Sequence, residues 1–94
     1  SQTIDCGFSA GSRFILIKRT DATGSWYLWD SARGIVAGDE PNIFLDTTSD
    51  QNTTDSIDPH NSGFIVNQVS SAPSGQSVIY PNVSGGTYIF YAIA

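Results

Sequence analysis

The sequence predicts an all-β fold: a small antiparallel β-sandwich, jelly-roll-like, of about seven short strands. Three observations predict it. Helix formers are sparse, and no window carries apolar residues at i, i+3, i+4 and i+7. Short apolar stretches, alternating or continuous, recur along the whole chain. Between them lie Gly, Pro, Asn and Asp clusters, the residues of turns.

The first strand is expected over Thr3–Phe8, with Ile4, Cys6 and Phe8 on one face and Gly7 as a break or bulge. The second, Arg13–Thr20, is apolar on both faces through Phe14-Ile15-Leu16-Ile17, as a central strand is. The third, Ser25–Ser31, holds Trp26-Tyr27-Leu28-Trp29. The intervening Asp21-Ala22-Thr23-Gly24 is the strongest hairpin signal: Asp opens the turn, and Gly is expected to supply a positive φ at its exit. Ala32–Asn42 reads as a loop and Ile43–Thr47 as a short strand. Thr48–Ser62 is polar enough to predict a surface run. Strands follow at Gly63–Ser70, at Val78-Ile79-Tyr80 and at Thr87–Ala94. The last alternates Tyr88, Phe90 and Ala92 against Ile89, Tyr91 and Ile93, so it too is apolar on both faces. Such a strand is an aggregation hazard at an exposed edge. It is expected inside the sheet or against another protomer.

The chain has 94 residues, enough for one domain spanning 1–94. A chain of this size buries only roughly 60–65% of its unfolded surface, so its core is small and gains from neighbours. Charged residues make up 14% of it, so Ser, Thr, Asn, Gln and Gly must solvate the surface, as in extracellular or virion-surface proteins. The formal charge is −5, and Arg13, Lys18, Arg19 and Arg33 are the whole basic set. That is too little for a phosphate-tracking stripe, so neither nucleic acid nor an anionic membrane is an expected partner. No apolar run is long enough to span a bilayer, and no signal-peptide pattern is present. The start at Ser1 rather than Met is expected to reflect processing or a longer parent chain. Cys6 is the single cysteine, which excludes an intrachain disulfide or a thiolate zinc site and predicts a small buried hydrophobe.

Catalytic chemistry finds little support. His60, the single histidine, follows Asp58-Pro59 in an expected loop without a nucleophile elbow such as Gly-x-Ser-x-Gly. Asp30, Asp46, Asp50, Asp55 and Asp58 could supply paired carboxylates, yet a chain this short can hardly wall a groove around them. The same residues with Asn52 and Asn61 could ligate Ca²⁺, but their spacing does not fit an EF-hand loop. Turn formation is the expected role of these side chains. No enzyme activity, metal or cofactor is therefore expected. Asn52-Thr53-Thr54 and Asn82-Val83-Ser84 match the glycosylation sequon, a weak match in so Asn- and Thr-rich a chain. The Trp26–Trp29 cluster is the richest feature. Trp26 and Leu28 face one way and Tyr27 and Trp29 the other, and one pair should fill the core. Tyr27, Trp29 and Tyr91 are the candidates for ligand or interface contact, since exposed aromatics stack on sugars and anchor interfaces.

In order and spacing, several blocks resemble a structural module of tailed bacteriophages, found in tail-fibre and other virion-surface proteins. They are Ile4-Asp5-Cys6-Gly7-Phe8, Phe14-Ile15-Leu16-Ile17-Lys18-Arg19-Thr20-Asp21, Gly24-Ser25-Trp26-Tyr27-Leu28-Trp29-Asp30 with Arg33-Gly34, Leu45 with Thr47-Thr48, Ile57-Asp58-Pro59, Ser62-Gly63-Phe64, and Gly86 through Ala94. The resemblance implies a non-enzymatic virion component of a fibre, baseplate or capsid decoration. It brings no catalytic residues with it. Together with the small core, it leads to an expected homo-oligomer, a trimer by preference, among other virion proteins and in contact with a host-surface glycan. A carbohydrate-binding module is the alternative expectation.

Overall fold

The computed structural model describes residues 2–46, 48, 51–54, 56–67 and 86–94. They form β1 (Gln2–Asp5), β2 (Phe14–Arg19), β3 (Trp26–Asp30), β4 (Glu40–Phe44), β5 (Asn52–Thr54), β6 (Ile57–His60), β7 (Gly63–Val66) and β8 (Tyr88–Ile93). All pairings are antiparallel. One sheet runs β1-β7-β6 and the other β5-β4-β3-β2-β8. Strands β2, β3 and β4 follow one another, and β8 returns by a long connection to lie beside β2. This is a Greek key, the winding that jelly rolls repeat. The fold is a small all-β antiparallel sandwich, as composition and periodicity predict.

The core lies between the sheets. Ile15, Ile17, Tyr27, Trp29 and Phe44 come from the five-stranded sheet, and Ile57, Phe64 and Val66 from the other. Alternation puts them there: in β2 and β3 every second side chain turns inward. Tyr27 and Trp29 stack nearly parallel, with ring centres 5.8 Å apart. Phe44 meets Tyr27 edge-on at 5.3 Å. Cys6 is half-buried and packs against this cluster, along with Ile4, Ile35, Tyr88 and Ala92.

Several boundaries differ from the sequence reading. The first strand ends at Asp5 because Gly7 takes a φ of 77°, with its N–H held by Asp5 Oδ1 at 2.9 Å. Gly24 does not have a positive φ, so the 21–24 turn closes without the left-handed exit expected of it. Strand β4 begins at Glu40, inside the stretch read as a loop. Pro41 disguises it. The proline lies opposite Thr53 of β5, while β4 meets β3 only at Ile43 and Phe44. The missing N–H thus falls at the strand's start, where proline is tolerated. The polar 48–62 run holds β5 and β6, and Ser56 and Ile57 within it are buried. The expected strand at Val78-Ile79-Tyr80 and the sequon at Asn82 lie outside the described residues.

Gly63 is required where it stands. A Cβ there would lie 2.1 Å from the backbone oxygen of Ile4 and 3.1 Å from Cys6 Sγ. The absent side chain lets β1 close on β7, where Asp5 faces Gly63.

Candidate interaction surface

The outer face of an antiparallel sheet is usually polar. Here it is apolar over most of the five-stranded sheet. The register aligns Tyr91, Leu16, Leu28 and Ile43 in one row across β8, β2, β3 and β4. Ile93, Phe14 and Asp30 form the row on one side of it, and Ile89, Lys18 and Trp26 the row on the other. Leu28 is buried although it points away from the inter-sheet core, so its neighbours on this face are what cover it. Ile89, Tyr91 and Ile93 stay 42–61% exposed, and Trp26 and Leu45 also face solvent. Phe14 meets the Tyr91 ring edge-on at 6.3 Å. Both charged members of the face are already engaged: Lys18 Nζ donates to the Arg19 carbonyl at 2.6 Å, and Asp30 pairs with Arg33.

The three aromatic candidates therefore separate. Tyr27 and Trp29 are buried in the core, and their expected contact with a ligand or partner is corrected. The pair turned inward because the second sheet covers that face of β3, leaving no ring surface for a sugar or another subunit. Tyr91 is 61% exposed and stands on the apolar outer face. Around it the structure adds Trp26, Leu45, Ile89 and Ile93. The two-faced pattern of the last strand was the signal for Ile89 and Ile93, and the Trp26–Trp29 cluster the signal for Trp26.

The polar candidates serve the backbone. Asp5 Oδ1 accepts from Gly7 N, Asp30 Oδ1 from Arg33 N at 2.8 Å, and Asp46 Oδ1 from Trp26 N at 3.2 Å. These are turn and strand-end bonds of the kind short acidic side chains make. Asp58 and His60 lie in β6 rather than in a loop. His60 Nδ1 contacts Ser62 Oγ at 2.9 Å and accepts the Ser62 N–H at 3.2 Å, so Nδ1 is the acceptor nitrogen. Among the described residues no carboxylate bonds to that ring, and no three of His, Cys, Asp and Glu gather as metal ligands. Asp50 and Asp55 lie outside the described residues. Burial, and secondarily the charge of Asp5, pushes the Cys6 thiol up, away from a reactive thiolate.

Among the described residues two clefts stand out. One of about 270 Å³ lies between the sheets at the β1 and β8 edges, floored by Ile17, Phe64 and Val66, with Phe90 at its side. The other, about 490 Å³, lies at one end of the sandwich among Gly11, Ile35, Val36, His60 and Asn61. It has no aromatic wall on which a sugar could stack.

Asp21 links the β2–β3 turn to the start of β8. Its Oδ1 accepts from Arg19 Nε at 2.8 Å and from Thr87 N at 3.1 Å. The Arg19 bond first, and the Thr87 N–H second, hold its carboxyl down at about 2. A carboxyl lowered by folding stabilises the fold fully above its unfolded value, near 3.8, and loses that contribution as the pH falls through about 2. Urea midpoints should therefore drop between those two values in the natural chain. Asp21→Asn should flatten that part of the profile. Identical slopes in the two proteins would exclude Asp21 as the titrating group.

No curated protein and no solved structure gives a significant match to the chain. One family model covers residues 2–94, that of a domain of unknown function (DUF7483), and the chain belongs to that family.

Proposed function

We propose that this chain is a structural module of a bacteriophage virion, part of a tail fibre, a baseplate or a capsid decoration, that assembles with copies of itself. The observation that carries the assembly is the apolar outer face of the five-stranded sheet, ending in the exposed strand β8. Contiguous exposed apolar patches mark interaction surfaces. A small sandwich with a limited core gains stability from every copy that covers such a face. Symmetric assemblies supply that cover repeatedly. The virion setting rests on the ordered sequence blocks that resemble the phage module.

Two measurements test this reading. Sedimentation velocity over a wide concentration range should show an oligomer, and a monomer throughout would overturn the assembly. Gold-labelled antibody to the chain should decorate fibre, baseplate or head in purified particles. Unlabelled particles would overturn the virion setting.

A further inference from the structure

Strand β8 ends its sheet's order among the described residues, and on the self-assembly reading above that edge gains a role. Thr20 N–H donates to the Thr87 carbonyl at 2.8 Å, and Arg13 N–H to the Ile93 carbonyl at 2.8 Å. In an antiparallel ladder, backbone groups point to one side on alternate residues. Thr87, Ile89, Tyr91 and Ile93 thus bond toward β2. The N–H and C=O groups of Phe90 and Ala92 point to the open side, where no partner meets them among the described residues. The strand is six residues long and carries no charge, no proline and no lysine guard. Natural edge strands carry such guards where pairing is to be avoided. Tyr88 and Ala92 pack against the core and Phe90 meets the Phe64 ring edge-on at 5.4 Å, yet Phe90 remains 50% exposed at the outer limit of the described sheet.

We infer that β8 pairs with β8 of a second copy, antiparallel about a two-fold axis through Tyr91, joining the two five-stranded sheets into one. The strand is complementary to itself in that register. Phe90 and Ala92 each exchange both backbone bonds with Ala92 and Phe90 of the other copy, which satisfies the groups left open. On the outer face, Tyr91 meets its own symmetry mate and Ile89 meets Ile93. On the inner face the large Phe90 ring falls beside the small Ala92. Cross-strand pairs of this kind are the stabilising units of a sheet. The chain's net charge of −5 does not oppose the contact there, because β8 contributes none of it.

Cysteine cross-linking of the full chain tests both the pairing and the register. In a Cys6→Ser background, Tyr91→Cys should form a disulfide-linked dimer on mild oxidation. Residues on the axis form a non-hydrogen-bonded pair with Cα atoms about 4.5 Å apart, within disulfide reach. Ile89→Cys and Ile93→Cys should each stay uncross-linked alone and cross-link when mixed. Tyr91→Lys, whose side chain remains in solvent, should abolish the dimer while leaving the circular dichroism unchanged. An oligomer that fails to cross-link through Tyr91→Cys, or that survives Tyr91→Lys, overturns the β8 pairing and leaves the assembly reading standing. A natural chain that is monomeric at every concentration overturns both.

Discussion

Trp29→Ala should bring the domain close to unfolding. Trp29 is fully buried and stacks on Tyr27, which in turn meets Phe44 edge-on. Removing it empties the centre of the only large aromatic array between the described parts of the sheets. Truncating a buried Trp or Phe to Ala costs about 3–5 kcal/mol, through lost transfer energy plus the cavity left behind. A domain of this size sits at the low end of the ~5–15 kcal/mol range, so the loss is a large share of the whole. Each kcal/mol shifts Tm by roughly 4–8 °C in a domain of 60–100 residues. The melting midpoint should therefore fall by roughly 15 °C or more, or the cooperative transition should vanish. Trp29→Phe should cost much less. The Trp29 indole Nε1 has no hydrogen-bond partner among the described residues, so the smaller ring loses packing alone. Trp26→Ala is the internal control: it removes a solvent-facing ring, and its effect should stay within about 1 kcal/mol. Thermal melts followed by far-ultraviolet circular dichroism avoid relying on tryptophan emission. Equal midpoints for Trp29→Ala and Trp26→Ala would show that the stack is not what holds the sheets together.

The contrast between the two tryptophans marks how far the sequence could be read. Strand alternation separated Trp26 and Leu28 from Tyr27 and Trp29, and it did so correctly. Which pair turned inward depended on the side from which β6 and β7 approach, a long-range fact that period-two spacing does not contain. The central strand Phe14–Arg19 and the hairpin to Trp26 were legible because apolar runs and turn residues agreed there. The terminal strand was legible as a two-faced apolar segment, and its expected burial is a different matter. The structure places it at the edge of the five-stranded sheet among the described residues, with Ile89, Phe90, Tyr91 and Ile93 exposed and Tyr88 and Ala92 against the core. That position is what turns a packing problem into a candidate surface. Failures came where the deciding contact was local polarity buried by tertiary structure. Glu40 and Asn42 look like loop residues beside Pro41, yet both are fully buried on the inward side of β4. Polar residues are mostly exposed, so composition assigns such a stretch to the surface.

Glu40 shows why a buried polar residue is kept there. Its Oε1 accepts from Ser56 N at 3.0 Å and from Ile57 N at 2.7 Å. Glu40 belongs to the five-stranded sheet, and Ile57 opens β6 of the other. One carboxylate oxygen thus ties the two layers where the chain crosses between them. Glu40→Ala should leave two buried N–H groups unpaired, at about 1–3 kcal/mol each, before any loss of packing. A destabilisation of about 2–6 kcal/mol is expected, comparable to that of Trp29→Ala and different in origin. Two further variants separate the causes. Glu40→Leu restores volume without an acceptor and should remain nearly as unstable as Glu40→Ala. Glu40→Gln keeps an oxygen acceptor and should recover much of the loss, because the bond rather than the bulk is what it restores. Urea unfolding gives the ranking, and amide hydrogen exchange gives the place: Ser56 and Ile57 should lose protection first in Glu40→Ala. If Glu40→Leu proved as stable as the natural chain, the two N–H groups would have another acceptor, and the link between the sheets would be apolar packing alone.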